Sequence, residues 1–179
     1  MADEKKEPWL NYLALTTVIL AVCATLATFK GGGYSTRSVL SQTQASDQWA
    51  FYQSKSIKGY LYDLQRDKLE LERKMLGSSA VADIDQEYAR RIEAYAAKVK
   101  KYDEEKAEID KKARNLESIR DDASRHSRAF GMAVIFLQIA ILLSSIAALL
   151  KMRNVWFTGL ACGALGIVHF LNGFFLFLP

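Results

Sequence analysis

"YARRIEAYAAKVKKYDEEKAEIDKKARNL", residues 88–116, places Tyr88, Ile92, Tyr95, Val99, Tyr102, Lys106, Ile109, Ala113 and Leu116 at alternating steps of four and three. Such a heptad seam marks a helix laid along another helix, and here it runs on through Arg120 and Ala123. Upstream, Ile57, Leu61, Leu64, Lys68, Leu71 and Met75 keep the same rhythm, which extends back more weakly through Ser54, Ala50, Asp47, Thr43 and Leu40. Between the two lies "LGSSA", residues 76–80. Gly77 suits the left-handed residue that ends a helix, Ser79 can cap the next one, and Asp83 and Asp85 favour its first turn. Two seams joined by a short turn predict an antiparallel coiled-coil hairpin over residues 38–128. Its layers include Leu71 with Asp85, Leu64 with Ile92, Leu61 with Tyr95, Ile57 with Val99 and Ser54 with Tyr102. At 1.5 Å per residue, Leu40 to Met75 spans about 55 Å.

On either side of the hairpin the composition changes. Residues 9–29, 129–150 and 155–178 contain no Asp, Glu, Lys or Arg. Each is close to the roughly 20 residues that a helix needs to cross a bilayer. The expected architecture is therefore an all-α membrane protein, with three transmembrane helices and the helical hairpin outside the bilayer. An N-terminal tail (1–8), a short basic loop (151–154) and a flexible joint at 30–37 complete it. The joint is expected because Gly31, Gly32 and Gly33 weaken a helix. No Gly-Lys-Ser/Thr follows them, which argues against a phosphate-binding loop. The first span is longer than a signal-peptide core and reads as a retained anchor.

Charge narrows the function classes. Residues 38–128 hold 18 Lys/Arg and 17 Asp/Glu with the signs interleaved, which is a solvated helix surface and not a nucleic-acid footprint. Cys23 and Cys162 both fall inside apolar spans and read as small packing residues. Nothing resembles a catalytic constellation, a metal cluster or a cofactor motif, so no catalytic, cofactor or metal residues are assigned.

Residues 46–65, "SDQWAFYQSKSIKGYLYDLQ", crowd Trp49, Phe51, Tyr52, Tyr60 and Tyr62 into a polar segment. With Ala50 and Ser54 on the seam, these rings take outer or flanking positions, and the expectation is that they contact another copy or a partner. In the third span, Gly159, Gly163, Gly166 and Gly173 form a face on which another helix can approach closely. Gln138, His169 and Asn172 are the intramembrane polar groups, with Gln138 and His169 at matching depth for a hydrogen bond. The basic loop with Lys151 and Arg153, together with Lys5 and Lys6 in the tail, points to the cytoplasm and leaves the hairpin periplasmic. Lys30, Arg37, Arg120, Arg125 and Arg128 at the other end of the spans argue the opposite way.

The stretch "WLNYLALTTVILAVCATLATFKGG" followed by "SDQWAFYQSKSIK" (Trp49, Tyr52, Gln53, Lys55, Lys58) resembles the bacterial membrane proteins grouped as domain of unknown function 4337. The resemblance covers essentially the whole chain and implies a bacterial inner-membrane protein, without implying an activity. The expected function is a non-enzymatic membrane scaffold or docking protein. Its partners are the lipid bilayer and further copies of itself, or another membrane or envelope protein. The alternative is a small transporter or channel subunit using Gln138, His169 and Asn172.

Overall fold

The computed structural model describes residues 8–77 and 82–178. Helix α1 covers Pro8–Leu76, α2 covers Ala82–Leu150 and α3 covers Arg153–Phe175. Proline suits the first turn of α1, where its missing N–H leaves no hydrogen bond unmade. Gly77 follows the last helical residue at φ 58°, the left-handed geometry expected of it. Asp83 and Asp85 sit in the first turn of α2, where the helix dipole favours carboxylates. Between α2 and α3, Lys151 adopts φ 52°, and Met152 N–H reaches back to the Ala147 carbonyl at 3.1 Å. That bond closes α2 with only two residues before α3 begins. The tail through Glu7, Ser79 as a cap, Val81 and most of the 76–80 turn lie outside the described residues.

The joint expected at 30–37 is instead part of α1, which runs unbroken through the three glycines. A helix held by tertiary packing tolerates poor local propensity, and here the packing needs a glycine. A Cβ on Gly31 would lie 3.0 Å from Phe130 Cβ, so α2 rests directly on this backbone. Ser127 donates its hydroxyl to the Gly31 carbonyl at 3.2 Å, and Tyr34 stacks on His126 with 4.4 Å between centroids. Gly32 and Gly33 have open space around them.

Contacts divide the chain into two compact units, one comprising the chain up to Leu40 with everything from Ile119 onward, the other Ser41–Ser118. In the first, Leu20, Ala24 and Ala27 of α1 pack on Phe130, Ala133, Leu137 and Ala140 of α2. Trp9, Leu13 and Ala147 make a second cluster with Val155 and Trp156. Alanine dominates these faces, which lets the helix backbones approach closely.

In the second unit, α1 and α2 lie side by side in opposite directions: Arg73 meets Asp85 toward one end and Trp49 meets Glu117 toward the other. On α2 the expected seam faces inward, with Tyr88, Ile92, Tyr95, Val99 and Tyr102 half-buried and Ile109 and Ala113 buried. On α1 it does not. The inward residues are Ser41, Ala45 and Gly59, flanked by half-buried Trp49, Tyr52, Lys55, Tyr62, Arg66 and Arg73. Leu40, Ile57, Leu61, Leu64, Leu71 and Met75, expected in the seam, are all more than half exposed.

Volume explains the rotation. Tyrosines at 88, 95 and 102 repeat every seven residues, so a bulky ring recurs along one line of α2. Tyr102 is seated against Gly59, not Ser54: a Cβ on that glycine would lie 3.6 Å from Tyr102 Cβ. Branched leucines opposite the same rings would overpack the interface, at a typical cost of about 1–3 kcal/mol.

Replacing Gly59 and Tyr102 by cysteine, with Cys23 and Cys162 changed to alanine, should give an intramolecular disulfide under mild oxidation, because the Cβ separation suits one. The Leu61/Tyr95 cysteine pair should not close within a chain. Gel mobility before and after reduction distinguishes the two.

Candidate functional site

The first candidate surface is the ring cluster in Ser41–Ser118. Tyr62 stacks on Tyr102 with 5.8 Å between centroids and 15° between planes, and lies 5.6 Å from Tyr95. Cations cover these rings: Lys98 sits 4.5 Å from the Tyr62 centroid and Lys55 5.5 Å from that of Tyr102. Each such contact contributes roughly 0.5–1 kcal/mol at an exposed site. Trp49 donates its indole N–H to Glu117 at 2.9 Å and meets Tyr52 edge-on. Three of the five rings expected to look outward, Trp49, Tyr52 and Tyr62, are thus turned toward α2. Phe51 and Tyr60 remain exposed, at 49% and 69%. The expectation of an outward aromatic face is corrected accordingly: the face the chain leaves open carries the leucines.

Ion pairs fasten the same two helices. Lys55 meets Glu105 at 2.6 Å, and Arg73 grips both oxygens of Asp85, at 2.7 and 2.8 Å. The hydrogen bond from Arg73 holds the Asp85 carboxyl below its ordinary range, and that from Lys55 does the same for Glu105, helped by the fields of Lys101 and Lys58. Lys106 is pushed up, first by its hydrogen bond to Asp103.

The second candidate region is the three-helix unit. Gly159, Gly163 and Gly166 are buried, and their neighbours belong to their own chain. A methyl on Gly166 would lie 2.8 Å from Leu137 Cγ, one on Gly163 3.0 Å from Leu20, and one on Gly159 3.2 Å from Leu143. Gly173 extends the row, with Phe130 ring carbons 2.6 Å from where its Cβ would be. The stripe therefore seats α3 on α1 and α2 and is not open to another copy.

The three polar residues do not converge. Gln138 is exposed, and His169 stacks on Phe136 at 5.6 Å with 7° between planes. No hydrogen bond joins the two among the described residues. Asn172 is buried; its side-chain carbonyl accepts the Leu178 N–H at 2.7 Å, and its backbone carbonyl accepts the Leu176 N–H at 2.8 Å. It shapes the end of α3, where Leu176 turns left-handed at φ 49°. His126 Nδ1 lies 2.8 Å from the Gly173 carbonyl and ties that end to α2.

This end of α3 also borders a cavity of about 680 Å³ whose walls include Arg125 and Arg128. The sequence pattern gives these arginines no role beyond flanking the apolar span. The signal it does carry is their spacing of three, directly before that span, which puts both on one side of α2. Among the described residues, no group of three or more His, Cys, Asp or Glu could hold a metal ion.

Among the described residues the protein is all-helical, with three helices long and apolar enough to cross a membrane. A family model described as domain of unknown function (DUF4337) matches residues 9–176, and the chain belongs to that family. No curated protein and no solved structure matches it.

Gly173→Ala should destabilise the three-helix unit by about 1–3 kcal/mol through overpacking against Phe130, whereas Gly131→Ala, with open space around it, should not. Thermal melts of the two variants in one detergent test this. Because the folded-state pKa values of Asp85 and Glu105 are depressed, their stabilisation is present at neutral pH and is lost as pH falls through those lowered values. Melting temperature followed by circular dichroism should drop below about pH 4, and Asp85→Asn with Glu105→Gln should flatten that drop.

Proposed function

We propose that the chain is a non-enzymatic membrane scaffold whose water-exposed helical pair forms an antiparallel coiled-coil hairpin and assembles with further copies through the outward stripe of α1. The observation that carries this reading is the exposure of Ile57, Leu61, Leu64, Leu71 and Met75, each between 56% and 80%. Soluble surfaces rarely leave so many large apolar side chains exposed along one line, and covering one such side chain contributes about 1.5–3 kcal/mol. Their spacing keeps the heptad rhythm, which fits a second helix laid alongside. Lys68 interrupts the stripe, with Glu72 beside it at 3.8 Å. A second copy supplies a matching strip and needs no other partner.

The apolar spans support anchoring in a bilayer, which in this reading is a bacterial inner membrane. Lys151 and Arg153 favour a cytoplasmic α2–α3 link and a periplasmic hairpin. Trp9 and Trp156, 6.0 Å apart with the Arg153 guanidinium 5.7 Å from the Trp9 centroid, make an amphipathic cluster of the kind found at a membrane–water interface. A transporter or channel role for Gln138, His169 and Asn172 has no comparable support, since the three do not form a connected polar path.

Leu61→Lys together with Leu64→Lys should lower the native mass measured in detergent and in lipid nanodiscs while leaving helical content intact, because both side chains point away from α2. Unchanged mass in the double variant, or a monomeric wild type, would overturn the proposal.

A further inference from the structure

The cavity at the end of α3 has an unusual division of chemistry. Arg125 and Arg128 line it together with Met132, Phe177 and Leu178, which supply hydrocarbon, and with His169. Both arginines are exposed. Arg66, Arg73, Arg90, Arg91, Arg114 and Arg120 each have a carboxylate within 4 Å. Arg125 and Arg128, like Arg37 and Arg153, have none among the described residues, but only Arg125 and Arg128 line this cavity. The nearby carboxylates are otherwise engaged, Asp121 with Arg120 and Asp122 beside His126. Two unneutralised guanidinium groups therefore share one opening. Guanidinium forks bind phosphate oxygens in pairs, and the cavity volume lies in the range that holds a small ligand.

The apolar wall is built and not incidental. Asn172 accepts the N–H of Leu178, and Leu176 turns left-handed, so the residues after α3 fold back to border the cavity. Ala129 and Met132 open the uncharged part of α2 immediately after Arg128. Cation and hydrocarbon thus meet where the polar sequence gives way to the apolar span. A soluble anion would use only the arginines. A phosphodiester carrying acyl chains would use both parts.

We propose that this cavity binds the head group and upper acyl chain of an anionic phospholipid, with Arg125 and Arg128 on the phosphate and Met132 and Phe177 along the chain. The inference rests on the membrane reading above. A basic pocket between membrane helices at head-group level is suited to such recognition, and the occupied site would clamp the C-terminal residues against α2.

The full-length protein is reconstituted in vesicles of phosphatidylcholine alone or with phosphatidylglycerol, then extracted gently for native mass spectrometry of retained lipid. Wild type should retain phosphatidylglycerol in preference to phosphatidylcholine. Arg125→Gln with Arg128→Gln should cut that retention at least about fivefold, whereas Lys111→Gln with Lys112→Gln, an equal loss of charge elsewhere, should not. Phe177→Ala should weaken retention with both arginines in place. Equal retention of the two lipids, or no effect of the arginine pair, would overturn the site. Displacement of the lipid by millimolar inorganic phosphate would overturn the lipid assignment in favour of a soluble phosphate. Failure of the wild type to incorporate even into phosphatidylcholine vesicles would instead sink the membrane reading, which separates the two failures.

Discussion

A bulky ring every seventh residue on α2 constrains the rest of the Ser41–Ser118 unit. Tyr88, Tyr95 and Tyr102 recur along one line, and a close-packed interface accepts them only where the opposing helix offers space or a flat partner. α1 offers both, in Gly59 and in the ring of Tyr62. Lysines at 55 and 98 then lie over the ring faces, and the nearby ion pairs of Lys55 with Glu105 and Arg73 with Asp85 hold the helices in register. Such half-buried pairs fix alignment more than they stabilise. With this face of α1 committed, its leucines are turned to solvent. The exposed stripe is thus a consequence of the tyrosines.

Small residues have the corresponding role among the apolar segments. Contact between these apolar helices depends on close approach and packing. Gly31 lets Phe130 lie on the α1 backbone, Gly173 lets the same ring lie on α3, and Gly166 receives Leu137. Phe130 is fully buried between them. One large side chain with glycines on both neighbours fixes the relative axial position of the three helices in this unit.

How much of this is legible in the sequence varies by element and for physical reasons. The three apolar blocks are plain, because twenty-odd residues without a charge suit hydrocarbon and make a poor water-exposed helix surface. The α2 seam is plain too, because apolar and aromatic residues coincide there with the correct period. On α1 two heptad lines compete, and the line through Leu61 and Leu64 is the more apolar, so periodicity favours it. The line through Gly59 and Tyr62 prevails because steric volume opposite tyrosine outweighs hydrophobicity, a property of the partner that one helix's pattern does not carry. The glycines at 31–33 mislead for a related reason: local propensity marks a break, while Phe130, far along the chain, needs a glycine in a helix. The α3 glycines do form a packing face, but spacing alone does not say whether the neighbour is the same chain or another. The arginines by the α3 end become informative only when the fold brings Phe177 and Leu178 beside them.

The most direct measurement places a single spin label at Leu64 in the full-length protein and records dipolar distances between labels in bilayers. If the tyrosine-directed rotation leaves this stripe for a second copy, the spectrum contains a short intermolecular distance, from helices packed with axes about 10 Å apart, and a label at Gly59 gives a longer one. A featureless background from Leu64, or a shorter distance from Gly59, would contradict the account.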